Sequence, residues 1–135
     1  MSYPKGFANV VYPVADIETG VSAFAALFGA APTFQGPDFA VFDGGISLSS
    51  KPWVEHPLVF WTVEDIAETH AAMVAAGATA LGEIADGSLA EIGTAQITHG
   101  DPATGIVDMP GSRLAVLRAA DGNLIALNQP VAMSW

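Results

Sequence analysis

The sequence predicts an α+β fold made of two consecutive modules, each a strand, a capped helix and further strands. Three observations predict it. Two apolar, strand-like runs, Phe7–Val14 and Leu58–Val63, are each followed by an aspartate placed to cap a helix. The second run restarts the pattern about 49 residues after the first, a spacing that marks a repeated supersecondary unit. Short β-like runs broken by Gly, Pro and Asp follow the helical stretches.

The first module reads strand, helix, then three strands. Phe7–Val14 is rich in β-branched and aromatic residues. Asp16 can accept from the free amides of a first helical turn. From Ile17, the residues Val21, Phe24, Leu27 and Phe28 recur at helical spacing, and Gly29 supplies a stop. Thr33–Gln35, Phe39–Phe42 and Ile46–Ser49 are strands separated by Gly36-Pro37-Asp38 and Asp43-Gly44-Gly45. Lys51-Pro52 breaks the pattern.

In the second module Leu58–Val63 is a strand, and Asp65 with Glu68 has capping-box spacing. Ile66, Met73 and Val74 mark the apolar side of an alanine-rich helix that Gly77 ends. Thr79–Ile84, Leu114–Leu117 and Leu124–Leu127 are strands, the last two joined by an Ala120-Asp121-Gly122-Asn123 turn. Between them Thr94–Thr98 is expected as a further strand and Gly100–Gly105 as a loop. The whole chain, 1–135, is one domain, with module one over about 5–52 and module two over about 56–130.

Four basic residues stand against fourteen acidic ones, a net charge of −10, which argues against nucleic-acid binding. No apolar run approaches the roughly 18–20 residues that cross a bilayer, and Met1-Ser2-Tyr3-Pro4-Lys5 lacks a secretion signal's apolar stretch. There is no cysteine, hence no disulfide and no zinc–thiolate site. A cytoplasmic protein without membrane or nucleic-acid partners is expected.

These elements, in this order, resemble the vicinal-oxygen-chelate superfamily, the glyoxalase, bleomycin-resistance and dioxygenase group. Val11-Tyr12-Pro13-Val14-Ala15-Asp16 opens a helix that Leu27-Phe28-Gly29 closes, and Gly77-Ala78-Thr79 follows the second helix. Asp108-Met109-Pro110-Gly111 and the block Arg118 to Ile125 complete the likeness. That block resembles the family's Asp-Pro-Asp-Gly-Asn turn, with Ala119-Ala120 in place of its first two residues. Roughly residues 85–107 fall outside it. The resemblance implies two βαβββ modules forming a curled mixed sheet around a cleft, and a homodimer.

It also implies where metal ligands would lie. The first-strand ligand precedes the capping aspartate by seven residues, which selects Asn9 and Leu58 here. The last-strand carboxylate maps onto Ala126, and its first-module counterpart falls near Ser47 or Ser49. Leu and Ala cannot ligate a cation, and Asn and Ser offer only neutral oxygens. No metal and no cofactor are therefore expected. A shifted register through His56 is the alternative, against the reading of His56 as a loop residue beside Pro57.

If Asn9 and Leu58 face the cleft, alternation brings Val11, Phe60 and Thr62 with them, and Leu124, Ala126 and Asn128 from the last strand. Val10, Tyr12, Val59, Trp61 and Val63 then face the helices. The expected ligand-binding set is Asn9, Val11, Ser49, Leu58, Phe60, Thr62, Ala126 and Asn128. Such an apolar lining with a few amides and hydroxyls suits a small, partly aromatic molecule. Phe60 and Trp53 are placed to stack on a ring, although Phe60 serves equally well as core. The acidic balance serves solubility or, as a field, favours a cationic ligand and repels an anionic one. His70 reads as a solvated helix residue. His99, on a loop with Asp101 or Glu91 as partner, is a catalytic candidate.

The leading expectation is metal-independent binding, as in the sequestering resistance proteins of the family. The rival is a lyase, isomerase or dioxygenase-like enzyme working through His99 or a shifted metal site. A third reading is a domain whose only partner is another chain.

Overall fold

The computed structural model describes Pro4 and residues 6–131. They form two compact units, one spanning Asn9–Val59 and one that takes the remaining described residues, chiefly Phe60 onward.

The first unit contains β1 (Gly6–Pro13, from Asn9 within this unit), α1 (Ile17–Phe28), β2 (Phe34–Gln35), β3 (Phe39–Phe42) and β4 (Ile46–Ser49). Its strands lie in the order β2-β3-β4-β1, with β1 parallel to β4 and the other pairs antiparallel. The Asp16 carboxylate accepts from the Thr19 amide and hydroxyl, both at 2.9 Å. These two bonds hold its carboxyl below the usual carboxylate range. Gly29, at φ 69°, ends α1 by donating its N–H to the Ala25 carbonyl.

Helix α1 covers one face of this sheet. Ile17, Ala40, Phe42 and Leu48 are buried beneath it, with Tyr12, Val14, Val21 and Phe24 packed around them. Tyr12, Phe24, Phe28 and Phe42 run as a chain of ring contacts 5.4–5.9 Å apart. A Cβ on Gly20 would lie 2.7 Å from Val14 Cγ1, so glycine is what lets the helix come this close. Leu27 departs from expectation and is 78% exposed. It lies a quarter turn away from the Ile17–Val21–Phe24–Phe28 stripe.

The second unit contains β5 (Leu58–Thr62, from Phe60 within this unit), α2 (Ile66–Ala75), β6 (Thr79–Glu83), β7 (Leu89–Glu91), β8 (Val107–Met109), β9 (Ser112–Arg118) and β10 (Leu124–Pro130). Their order is β5-β10-β9-β6-β7, with β5 parallel to β10. One edge of β9 pairs with β10; the other is shared end to end by β6 and β8. Without β7 and β8 the topology repeats the first unit, β6, β9, β10 and β5 standing for β2, β3, β4 and β1. The chain thus has an α+β fold of two βαβββ modules, the second carrying an insertion.

The insertion falls largely in the segment, roughly 85–107, that lies outside the family resemblance. Thr94–Thr98 is not a strand. Gly93, at φ 91°, turns the chain, and the Thr94 hydroxyl donates to the Glu91 carbonyl at 2.7 Å, closing that turn. Gly100–Gly105 is a loop, tied together by Asp101, whose carbonyl accepts from Gly105 N–H at 2.6 Å and whose carboxylate accepts from Ala103 N–H at 2.8 Å.

Helix α2 is capped by Asp65, which accepts from Glu68 N–H at 3.1 Å, and by Gln129, whose Oε1 accepts from Ile66 N–H at 2.8 Å. The core under it holds Val63, Ile66, Ile106, Ala115, Leu117 and Leu127. The buried side of α2 is Ile66, Thr69, His70 and half-buried Met73, not Val74, which is 42% exposed. His70, expected in solvent, is 4% exposed. It bonds to the Thr104 backbone in the insertion, and burial lowers its pKa. Among the described residues no helix is long and apolar enough to cross a membrane.

Candidate functional site

Each sheet has one face under its helix and one face turned away from it. In the first unit the register Val10↔Ile46, Val11↔Ser47, Tyr12↔Leu48 puts Asn9, Val11, Ser47 and Ser49 on the face away from α1. Phe39 and Val41 share that face through Phe39↔Ser49 and Val41↔Ser47, and Phe34 joins through Phe34↔Val41. Asn9 is half-buried and its Nδ2 donates to Ser47 Oγ at 3.3 Å. Ser49 is buried, and its hydroxyl accepts from Lys51 N–H at 3.1 Å. Phe34 and Phe39 stack with centroids 5.1 Å apart, closing over Gly36, whose Cβ would stand 3.3 Å from both rings.

In the second unit the residues away from α2 fall into rows across the strands. One row is Phe60, Ala126, Val116, Leu81 and Glu91, each opposite the next. The adjacent row is Thr62, Asn128, Leu114 and Val107. Phe60, Ala126 and Leu81 are buried, whereas all four members of the second row are only partly so. Val116 is partly buried and Glu91 exposed, so the first row is a buried floor only at its Phe60–Ala126 end and at Leu81, and the second row is partly buried throughout. Leu58 follows the alternation of Phe60 along β5 and is 5% exposed.

Within the second row Asn128 is chemically unusual. Its Oδ1 is shielded from solvent and accepts no hydrogen bond. A desolvated acceptor without a donor is costly, and buried polar atoms are nearly always paired. The neighbouring Gln129, one residue on and therefore on the other face, satisfies Ile66 instead. Thr69 Oγ1 and His70 Nε2 also lack partners, but they lie in the core beneath α2, away from this face.

The ligand positions implied by the resemblance do not fit a metal. Leu58 and Ala126 are hydrocarbon, and Asn9 and Ser47 offer only neutral oxygens. The strand register identifies Ser47, not Ser49, as the counterpart of Ala126, since Val11↔Ser47 matches Phe60↔Ala126. His56 is exposed on a bend ahead of β5, outside the strand that would have aimed it. Among the described residues no group of three or more His, Asp or Glu could hold an ion.

The catalytic candidate His99 has a different partner from those expected. Its Nδ1 is 3.3 Å from Glu83 Oε2 and 3.2 Å from the Thr98 hydroxyl. Glu91 is taken by Arg118 at 3.0 Å, and Asp101 by its own loop. Glu83 was not singled out in the sequence. The alternation of β6 from Thr79 and Leu81 puts it on the face away from α2, and that was the signal to follow. Trp53 is half-buried in the turn at Lys51–Val54, and Trp61 is 40% exposed on β5, not a core residue.

The fold is that of the vicinal-oxygen-chelate superfamily, the glyoxalase/bleomycin-resistance type. The Mn(II)-bound glyoxalase from Novosphingobium aromaticivorans matches with a TM-score of 0.63 at 16% identity, over 99% of this chain and 42% of that one. A glyoxalase/bleomycin resistance protein/dioxygenase superfamily member from Vibrio splendidus 12B01 matches with a TM-score of 0.52 at 17% identity, over 90% of this chain and 96% of that one. A structure described as an NAD-dependent benzaldehyde dehydrogenase from Legionella pneumophila matches with a TM-score of 0.57 at 13% identity, over 90% and 97%. No protein-family model and no curated protein matches the sequence. Neighbours with such different activities at such low identity carry the fold alone.

Proposed function

We propose that this protein binds a small, partly aromatic molecule by apolar burial and amide hydrogen bonding, without a metal, and so sequesters it. The observation that carries this reading is the unpaired Asn128 Oδ1 on a face whose other members are largely hydrocarbon. Phe60 and Ala126 form the floor, Thr62 and Asn128 supply the polar contacts, and Leu58 extends the apolar strip along β5. Asn9, Val11 and Ser49 offer a similar lining on the first unit's sheet. A homodimer in the cytoplasm is the setting we propose for it.

The test is an NMR titration of chelator-treated protein with benzamide. Saturable binding that moves the Thr62 and Asn128 signals supports the reading. Binding that disappears on chelation and returns with a divalent ion overturns it. The Glu83–His99 contact supports a second reading, an enzyme in which Glu83 orients the imidazole and His99 moves a proton. Turnover of a bound compound that is lost in His99→Gln would favour that reading over sequestration.

A further inference from the structure

We infer that His70 is an acid-operated latch: its neutral ring holds the loop 101–106 against α2, and its protonation releases that loop while the rest of the second unit stays folded. The loop is bonded largely to itself. Asp101 N–H donates to the Ile106 carbonyl at 2.9 Å, and Thr104 and Gly105 N–H donate to the Asp101 carbonyl at 3.2 and 2.6 Å. Ile106 N–H donates to the Thr104 hydroxyl at 3.2 Å. The polar contact that leaves the loop runs from the Thr104 backbone to the His70 ring. Its apolar hold on the unit is Ile106, 6% exposed in the core, and Gly105, seated too close on the Leu81 carbonyl to admit a Cβ. Just ahead of the loop Gly100, at φ 96°, gives the chain the freedom to turn.

The surroundings of the ring make this latch sensitive to protons. His70 is 4% exposed, and its Nε2 has no hydrogen-bond partner. A neutral imidazole has one N–H for the Thr104 carbonyl to accept, whereas a protonated one brings two donors to that one acceptor. The groups around it supply no carboxylate to balance the charge. Asp65 and Glu68 lie on the exposed side of α2. β10 has no titratable side chain, and Glu83 of β6 and Arg118 of β9 are on the face away from α2. Arg113 of β9 faces α2 but is held by Asp108 of β8 at 2.7 Å, and the Asp101 carboxylate accepts within its own loop at 2.8 Å. A buried charge without a counterion costs more than uncovering one aliphatic side chain, so parting from the loop admits water to the ring at the smaller cost. His99, whose Nδ1 is 3.3 Å from Glu83 Oε2, gains an ion pair when protonated, so residue 99 stays in place and the motion begins at Gly100.

The test is an NMR titration of the full isotope-labelled chain from pH 8 to 5, following the ring nitrogens of His56, His70 and His99 separately. The amide signals of 101–106 are expected to shift with the midpoint of His70 and with neither of the others. Over the same range the nuclear Overhauser contacts of Thr104 with His70, and of Ile106 with Leu117, should be lost, while those between β9 and β10 persist. In His70→Gln, which keeps an amide donor for Thr104 but does not titrate, the loop should stay docked down to pH 5. Should that variant not fold, the coincidence of midpoints in the native chain decides by itself. A loop that keeps its contacts after His70 is protonated overturns the inference. So does a loop that follows His99, one that is released unchanged in His70→Gln, or the loss of the β9–β10 contacts together with those of the loop, which is unfolding of the whole unit.

Discussion

Replacing Phe60 with alanine asks whether the floor of the proposed site is also part of what holds the second unit together. Phe60 is 9% exposed and lies opposite Ala126, itself fully buried, so the truncation removes a ring from a closed environment. Phe→Ala changes of this kind cost about 3–5 kcal/mol. Unfolding entropy near 2.1 cal/mol/K per residue comes to about 0.28 kcal/mol/K for a chain of 135 residues. The expected fall in Tm is thus about 11–18 °C. Calorimetry on both proteins measures it, and Phe60→Leu, which keeps most of the volume, should lose less than half as much. A fall under about 4 °C in Phe60→Ala would refute the assignment of this ring to a packed floor. Weakened benzamide binding in Phe60→Leu, with little loss of stability, would then place the ring against the ligand instead.

Two further outcomes follow from the region around the insertion. Burial depresses the His70 pKa, so the unfolded chain takes up its proton first as pH falls; this contribution to stability is complete above about 6.5 and declines as pH drops below it. Denaturant midpoints from pH 8 to 5 should fall in the native chain and flatten in His70→Gln, and parallel curves would exclude His70 as the cause. Gly105→Ala should cost about 1–3 kcal/mol more than Gly122→Ala, because both positions have positive φ but only the Gly105 Cβ would collide with the Leu81 carbonyl oxygen. Equal losses on urea denaturation would show that the loop yields without resistance.

What the sequence disclosed depended on whether chemistry and periodicity agreed. Asp16 and Asp65 are polar residues at strand ends, where only a cap explains them, and both cap helices. On α2 the two signals conflicted. Ile66, Thr69, His70 and Met73 form the inward stripe by spacing, but the middle two are polar, so residue type alone favours Val74, which is exposed. The partner that makes a buried His70 tolerable is Thr104, thirty-four positions away in a loop, and nothing local announces it. The proposed ligand face was legible in outline, since alternation alone grouped Phe60 with Thr62 and Ala126 with Asn128. The unpaired state of Asn128 Oδ1 was not, because it depends on which donors the other strands bring near. The same holds for Glu83 and His99, joined only when the insertion folds back on β6.

The position of β9 bears on how the second unit assembles in time. Its pairings with β8 and β10 link neighbours in the chain, beginning at Met109↔Ser112 and Arg118↔Leu124. The parallel pairing of β5 with β10 starts from Phe60↔Ala126, across roughly half the chain, and so closes a far longer loop at greater entropic cost. The meander β8-β9-β10 is accordingly the element that can nucleate early, and β5 arrives on an edge already built. Asn128 would then be in place before Phe60 is laid beside Ala126, and the floor of the site would be among the last parts of this unit to form. Substitutions in β9 should slow folding while those at Phe60 mainly hasten unfolding; φ-values high at Phe60 and near zero in β9 would reverse that order.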